Sequence, residues 1–356
     1  MYQIPNDAEK KLQTVLDEYT SSGRECGCQL SVWHQGKPVI ELVSGHTSFD
    51  RSEPVKPNTL FPMFSAGKGV MATAFLRLLA AGKADLADPV CRWWPEFTGG
   101  GKENVQIWQL LCHRAGMYLL PAYSAPEELA DWELMCRRLE SAPCRSTKMR
   151  YHAITFAWLI GELAHRITGH NFYDLIRNEV LRPLDLTAEI RFGLTDEEFA
   201  EAAQLDNSDA SDPGSEKFIQ NPLLRRSFIP SANGFASARA IAKHYAALLE
   251  SGAGNVRLLP MEWVELATTP RRGVDDPRNE NNRWVNFGLG YALCGNDASG
   301  GGTCFGHSGA AGAEGFADKT RQLAVGFTKN RPLATHPRHP IRDEISKILE
   351  IPPRFW

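Results

Sequence analysis

Apolar positions recur at helical spacing over residues 7–21, where Leu12, Val15, Leu16 and Tyr19 fall on one stripe. The period then changes. Residues 28–34 and 38–44 read as two strands joined by Gln35-Gly36, a short hairpin signal. After a loop rich in Ser and Pro, residues 59–64 lead into a helix that runs to about Ala81 and stops at Gly82-Lys83. From about Asp88 to Arg283 the pattern is mostly helical, clearest at 107–112, 155–167, 172–180 and 236–250, with exposed loops at 206–216 and 271–282. Strand character returns at 287–294, 303–307, 315–318 and 323–329, with glycine-rich joints, and residues 340–349 read as a closing helix. Strands at both ends, with helices between them, predict one sheet built from both termini. Short turns between neighbouring strands favour an antiparallel sheet over a wound parallel one. The fold class is α/β in the broad sense (α+β). Residues 1–87 plus 284–356 form the sheet domain, 88–283 form a mostly helical domain, and the active site lies between them.

Composition narrows the function. The chain has 356 residues, 43% of them hydrophobic and 23% charged, with a net charge of −3. There is no basic stripe, so nucleic acid is not an expected partner. Arg137-Arg138, Arg225-Arg226 and Arg271-Arg272 are isolated pairs, read as lying on solvated faces. No membrane span is expected, because the best apolar run, 71–81, is short and carries Arg77. The N-terminus lacks the apolar core of a signal peptide, so a cytoplasmic location is expected. The eight cysteines are expected to be reduced and mostly packed. Cys26-Gly-Cys28 has no second pair at zinc-site spacing, and the prolines around His336 and His339 would break a ligating helix. Neither a metal nor a cofactor is expected.

One segment carries chemistry. In Phe64-Ser65-Ala66-Gly67-Lys68, Lys68 stands one helical turn beyond Ser65. A serine hydroxyl attacks well only when a base removes its proton. A lysine can be that base when burial or a nearby cation lowers its pKa. The stripe Met71, Ala74, Phe75, Leu78 and Leu79, extended back one turn, puts Lys68 on the buried face. Ser65 then sits at a helix N-terminus, where free N–H groups and the positive dipole end suit a developing oxyanion. On the motif alone, an N-capping serine with a surface lysine fits as well.

Further segments in the same order decide between these readings. Leu60 to Val70 resembles the nucleophile helix of the class C β-lactamase-like serine hydrolases, a superfamily that includes penicillin-binding proteins and family VIII carboxylesterases. Val105 to Gly116 resembles that family's stretch ending in His-x-x-Gly. Tyr151-His152-Ala153 is similar to its second motif, and Pro230-Ser231-Ala232-Asn233-Gly234 to a helix entrance in esterase-like members. His307-Ser308-Gly309 occupies the third motif. The resemblance covers roughly Cys28 to Lys329 and implies a β-lactamase/transpeptidase-like fold. It further implies that Ser65 is the nucleophile, that Lys68 and Tyr151 transfer protons, and that the Ser65 and Ala310 N–H groups form the oxyanion hole. His307, Ser308 and Gly309 would meet the substrate, while orienting Tyr151 or making a structural hydrogen bond stays open for His307.

Two departures bear on that substrate. The family's β-lactamases have Tyr-x-Asn and Lys-Thr-Gly where this chain has Tyr151-His152-Ala153 and His307-Ser308-Gly309. Ala153 cannot bind an amide, and a neutral His307 offers no permanent cation to a lactam carboxylate. Both point to a small neutral ester as substrate. A D-aminopeptidase, weak β-lactamase or acyltransferase stays open as a related reading, and a silent binding protein as a reading of another class. Gly306 to Ala310 nearly matches the nucleophile elbow of α/β-hydrolases, but the glycine-rich stretch after it predicts no following helix, so Ser308 is expected to be a decoy. Oligomeric state is not legible here.

Overall fold

The computed structural model describes residues 2–50, 52–205, 213–271, 273, 276, 286–294, 303–332 and 340–351. Its main sheet takes β1 (Gly27–His34) and β2 (Lys37–Gly45) from the N-terminal part. It takes β6 (Ala292–Cys294), β7 (Cys304–Ser308), β8 (Glu314–Asp318) and β9 (Leu323–Lys329) from the C-terminal part. The strand order is β2-β1-β9-β8-β7-β6, and all pairs are antiparallel. The β1–β9 pairing, with Cys28 opposite Lys329 and Leu30 opposite Phe327, joins the two ends of the chain. Gln35 and Gly36 both have positive φ (49° and 78°), the backbone of a two-residue hairpin whose twist matches its strands.

Each face of the sheet is covered. On one side α1 (Ala8–Ser21) and the closing helix Pro340–Ile348 bury Leu12, Leu16, Ile341 and Ile345 against Leu30, Val32, Val325 and Phe327. On the other lies the helix Ala238–Ala246, which approaches so closely that a Cβ on Gly326 would stand 2.0 Å from the Ala238 carbonyl oxygen. This explains why β8 and β9 are buried at every position rather than alternating.

A second, three-stranded sheet was not legible in the sequence. It consists of β3 (Phe61–Pro62), β5 (Gly234–Ala236) and β4 (Ile190–Phe192), in that order. Strands of two or three residues are too short for a period to declare itself. The segment Pro230–Gly234 therefore enters a strand first, and the helix starts only at Ala238. Two other boundaries moved. Residues 287–294 hold a strand only over Ala292–Cys294, because Gly290 (φ 82°) turns the chain and Phe287 bridges back to Ala292. Pro213–Gln220 is helical, so the expected loop is shorter at its C-terminal end; residues 206–212 lie outside the described residues, as do Trp284, His336 and His339. Arg225 also departs from expectation. It is buried against the Phe199 ring and paired with Asp196.

The largest core lies among the helices. The helix α2 (Gly67–Ala80) is buried along both its polar-looking and apolar flanks, so the stripe seen in the sequence is one side of a core helix. Around it pack Trp94, Trp158, Phe156, Leu110 and Tyr291. Trp94 and Trp158 are thus core residues, each fully buried. Among the described residues, no helix is long and apolar enough to cross a membrane.

Candidate active site

Ser65 stands in a single 3₁₀ turn, Phe64–Ala66, immediately before α2. Phe64 has φ 43°, a left-handed conformation that a bulky residue adopts only under constraint. The constraint is visible. Its ring is locked among Leu194, Phe199, Phe235 and Ala311, and the Met63 N–H donates to the Gly234 carbonyl at 2.8 Å. The sharp turn lifts Ser65 into partial exposure while its neighbours Phe64 and Ala66 stay buried.

Lys68 follows one turn later and is wholly buried. Its Nζ lies 2.8 Å from Ser65 Oγ and donates to the Ser231 carbonyl at 3.2 Å. Glycines on each side of it let the surroundings close in: a Cβ on Gly67 would meet the Pro230 carbonyl oxygen at 2.9 Å, and one on Gly69 the Tyr245 hydroxyl at 2.2 Å. Burial alone drives the Lys68 pKa well below 10.5, with no carboxylate acting in the other direction. The expectation of a buried lysine beneath Ser65 is met. Its carbonyl partner, Ser231, lies in a segment that resemblance alone had singled out.

Tyr151 stands on the far side of Ser65. Ser65 is near enough to its hydroxyl to act against the rise of the phenol pKa, and the Lys68 Nζ is 5.1 Å from its ring centroid. The residue keeps 37% of its surface open. Desolvation nevertheless raises its phenol pKa well above 10, which keeps the resting hydroxyl protonated. Tyr151 Oη lies 3.4 Å from His307 Nε2. Because His307 Nδ1 is 2.8 Å from the Ser308 carbonyl oxygen, the proton belongs on Nδ1 and Nε2 faces Tyr151 as an acceptor. Burial, with Lys68 nearby, pushes the His307 pKa down to about 3, so the ring is neutral. Ala153 is exposed beyond Tyr151.

The third motif closes the site from the sheet side. His307 and Ser308 end β7, and Gly309 begins the turn to β8. A Cβ on Gly309 would stand 2.0 Å from the Met63 carbonyl oxygen, so only glycine lets the strand end press against the turn that carries Ser65. Among the described residues, neither the Ser65 nor the Ala310 N–H donates to another atom of the chain. Ser308 is followed by a turn and β8 rather than a helix, which removes the strand–turn–helix setting an elbow nucleophile needs. Two neighbours escaped the sequence reading. His113 and Phe287 flank the Tyr151 ring, with centroids at 4.8 and 5.8 Å. His113 stood in the His-x-x-Gly stretch, but nothing in its spacing pointed at Tyr151.

The family and fold agree with this geometry. The Beta-lactamase family model matches residues 12–349. The chain is 32% identical to the esterase/beta-lactamase LipL of Mycobacterium tuberculosis, over 86% of this chain and 78% of that protein. It is 29% identical to esterase EstB of Burkholderia gladioli, over 49% of this chain and 50% of that protein. A solved family VIII carboxylesterase superposes with a TM-score of 0.86 at 27% identity, covering 98% of both chains. A penicillin-binding protein homolog from Caulobacter crescentus gives a TM-score of 0.77 at 28% identity, covering 93% of both. With its fold and its length both matched, this chain belongs to the Beta-lactamase family and is a serine hydrolase.

Proposed function

We propose that this enzyme hydrolyses carboxylic esters with uncharged acyl groups through an acyl-enzyme on Ser65, in a cleft between the sheet domain (1–87 plus 284–356) and the helical domain (88–283). The observation that carries the reading is a fully buried Lys68 that lacks a carboxylate partner and lies 2.8 Å from Ser65 Oγ. Lys68, whose burial favours its neutral amine, takes the Ser65 proton as Oγ bonds to the ester carbonyl carbon. The charge passes to the carbonyl oxygen, which faces the Ser65 and Ala310 N–H groups. As the C–O bond to the alcohol breaks, the Tyr151 phenol gives its proton to the departing oxygen and is reprotonated from the Lys68 ammonium. Water then repeats the sequence on the acyl carbonyl and releases the acid. His307 accepts from Tyr151 and keeps its hydroxyl oriented.

The neutral ring of His307 sets the substrate class. A permanent cation at this position would attract an acyl group bearing a carboxylate, and His307 supplies none. The esterase names of two relatives and the carboxylesterase superposition support the same direction. The double name of the Mycobacterium tuberculosis relative favours a second, slower reaction on β-lactams. A cytoplasmic site of action is proposed with it, because the free cysteines Cys26, Cys28, Cys91, Cys112, Cys136, Cys144 and Cys304 suit a reducing compartment. The test is a comparison of kcat/KM for p-nitrophenyl butyrate with that for a chromogenic cephalosporin. Ester turnover is expected to dominate, and a cephalosporin preference would overturn the assignment. Fluorophosphonate labelling followed by peptide mapping should find Ser65, and label on Ser308 would overturn the nucleophile.

A further inference from the structure

The segment holding Tyr151 is fastened to the loop that begins at His113, and His113 supplies a bond on each side of the tyrosine. Its carbonyl accepts the Arg150 N–H at 3.0 Å. Its Nδ1 accepts the His152 N–H at 3.2 Å. Its ring lies against Tyr151 with centroids 4.8 Å apart, backed by Phe156 at 5.0 Å and Phe287 at 4.6 Å. His113 has φ 59°, and in this left-handed conformation its carbonyl and its side chain both reach one segment. Further along, the Met117 N–H donates to His152 Nε2 at 3.1 Å and the Thr155 hydroxyl donates to the Met117 carbonyl at 2.8 Å.

The chemistry of the ring is specific. Because Nδ1 accepts an N–H, the proton of the neutral imidazole is on Nε2. Nε2 is buried and has no hydrogen-bond partner among the described residues. For packing alone an apolar ring such as phenylalanine, slightly larger than imidazole, would serve without burying an unsatisfied donor. What phenylalanine lacks is the acceptor for the His152 N–H.

We propose that His113 is a positioning residue that brackets Tyr151 between two backbone hydrogen bonds and a ring contact, and so holds its hydroxyl against Ser65 and His307. The inference rests on the role given to Tyr151 above. Two substitutions separate it from packing. His113→Asn keeps an acceptor near the place of Nδ1, whereas His113→Phe keeps the ring and loses the acceptor. With p-nitrophenyl butyrate, His113→Phe is expected to lower kcat about 100-fold with little change in KM, the cost of roughly a 1 Å misplacement. His113→Asn should recover about tenfold or more of that loss. Phe at wild-type activity, or Phe more active than Asn, would overturn the proposal. In a Tyr151→Phe background the same changes should cost less than about threefold further; a full additional loss would also overturn it. If Tyr151→Phe by itself leaves turnover intact, the catalytic role of Tyr151 fails, and a crystal structure of His113→Phe still reads the positioning directly. A shift of the Tyr151 hydroxyl by about 1 Å or more supports it, and an unmoved hydroxyl refutes it.

Discussion

Lys68 and Lys329 are equally hidden, at 0% and 1% exposure, yet they stand in opposite electrostatic settings. Lys329 ends β9, and the pairing of Cys28 with Lys329 brings it beside Glu25, just before β1. Its Nζ lies 2.8 Å from Glu25 Oε1. Burial lowers its pKa, and the carboxylate acts to raise it back. Lys68 has no such carboxylate; its neighbours are a hydroxyl and a backbone carbonyl, and desolvation alone acts on it. Lys102 offers a third setting. It too is buried, and it donates to the Leu139 (3.3 Å), Glu140 and Ala142 (2.8 Å) carbonyls at the negative end of the helix Trp132–Ser141. Burial makes a lysine expensive everywhere. What distinguishes a base from a structural ammonium is the partner that the fold provides or withholds.

The largest expected effect follows from removing the amine proposed as the base. Lys68→Met should lower kcat for p-nitrophenyl butyrate by about a thousandfold or more, while Lys329→Met, if its folded fraction is assayed, should leave kcat nearly unchanged. A Lys68→Met enzyme retaining a tenth of its activity would break the contrast.

Stability should reverse the order. Lys329→Met removes an ammonium from beside the buried Glu25 and is expected to lower the urea midpoint more than Lys68→Met does, part of the loss being recovered by adding Glu25→Leu. Lys102→Met should cost about 1–3 kcal/mol by leaving buried carbonyls unsatisfied. Lys68→Met is expected to be stabilising by about 0.5–2 kcal/mol, because it removes an uncompensated buried amine. Destabilisation by Lys68→Met as large as that of Lys329→Met would show that the two settings are alike.

The pH dependence sharpens the same point. Lys68 is depressed in the fold, so below 10.5 the unfolded chain binds more protons at this site than the native one. Stability from this site therefore rises as pH climbs from the depressed folded value towards 10.5, and Lys68→Met should lack that rise when urea midpoints at pH 7 and 9 are compared. The kcat/KM profile should fall on the acid side as Lys68 takes up a proton. The smallest effect is expected from His307→Lys. A cation there lowers the Lys68 pKa further, moving the acid limb to lower pH, and should raise cephalosporin turnover relative to ester. An acid limb moving to higher pH would contradict the proximity of the two groups.

Much of this was legible in the residue pattern because it depends on local spacing. The Ser65–Lys68 interval and the apolar stripe beyond it follow from helical geometry, and the Gln35-Gly36 hairpin from turn chemistry. The small sheet of β3, β5 and β4 was not legible, since strands of two and three residues exist only by virtue of their partners. Nor was His113, whose bonds cross 39 residues to reach the neighbour of Tyr151.

The sequence by itself determined the helix that sets Lys68 one turn from Ser65, the strands at both ends, and the absence of a lysine at position 307. Only the tertiary structure decided that Lys68 is fully enclosed without a carboxylate, that Tyr151 is flanked by His113 and Phe287, and that Gly309 lies against the Ser65 turn. The reason is physical. Spacing along one helix is fixed by its own hydrogen bonds, whereas solvation and charge depend on which distant segments pack around a group.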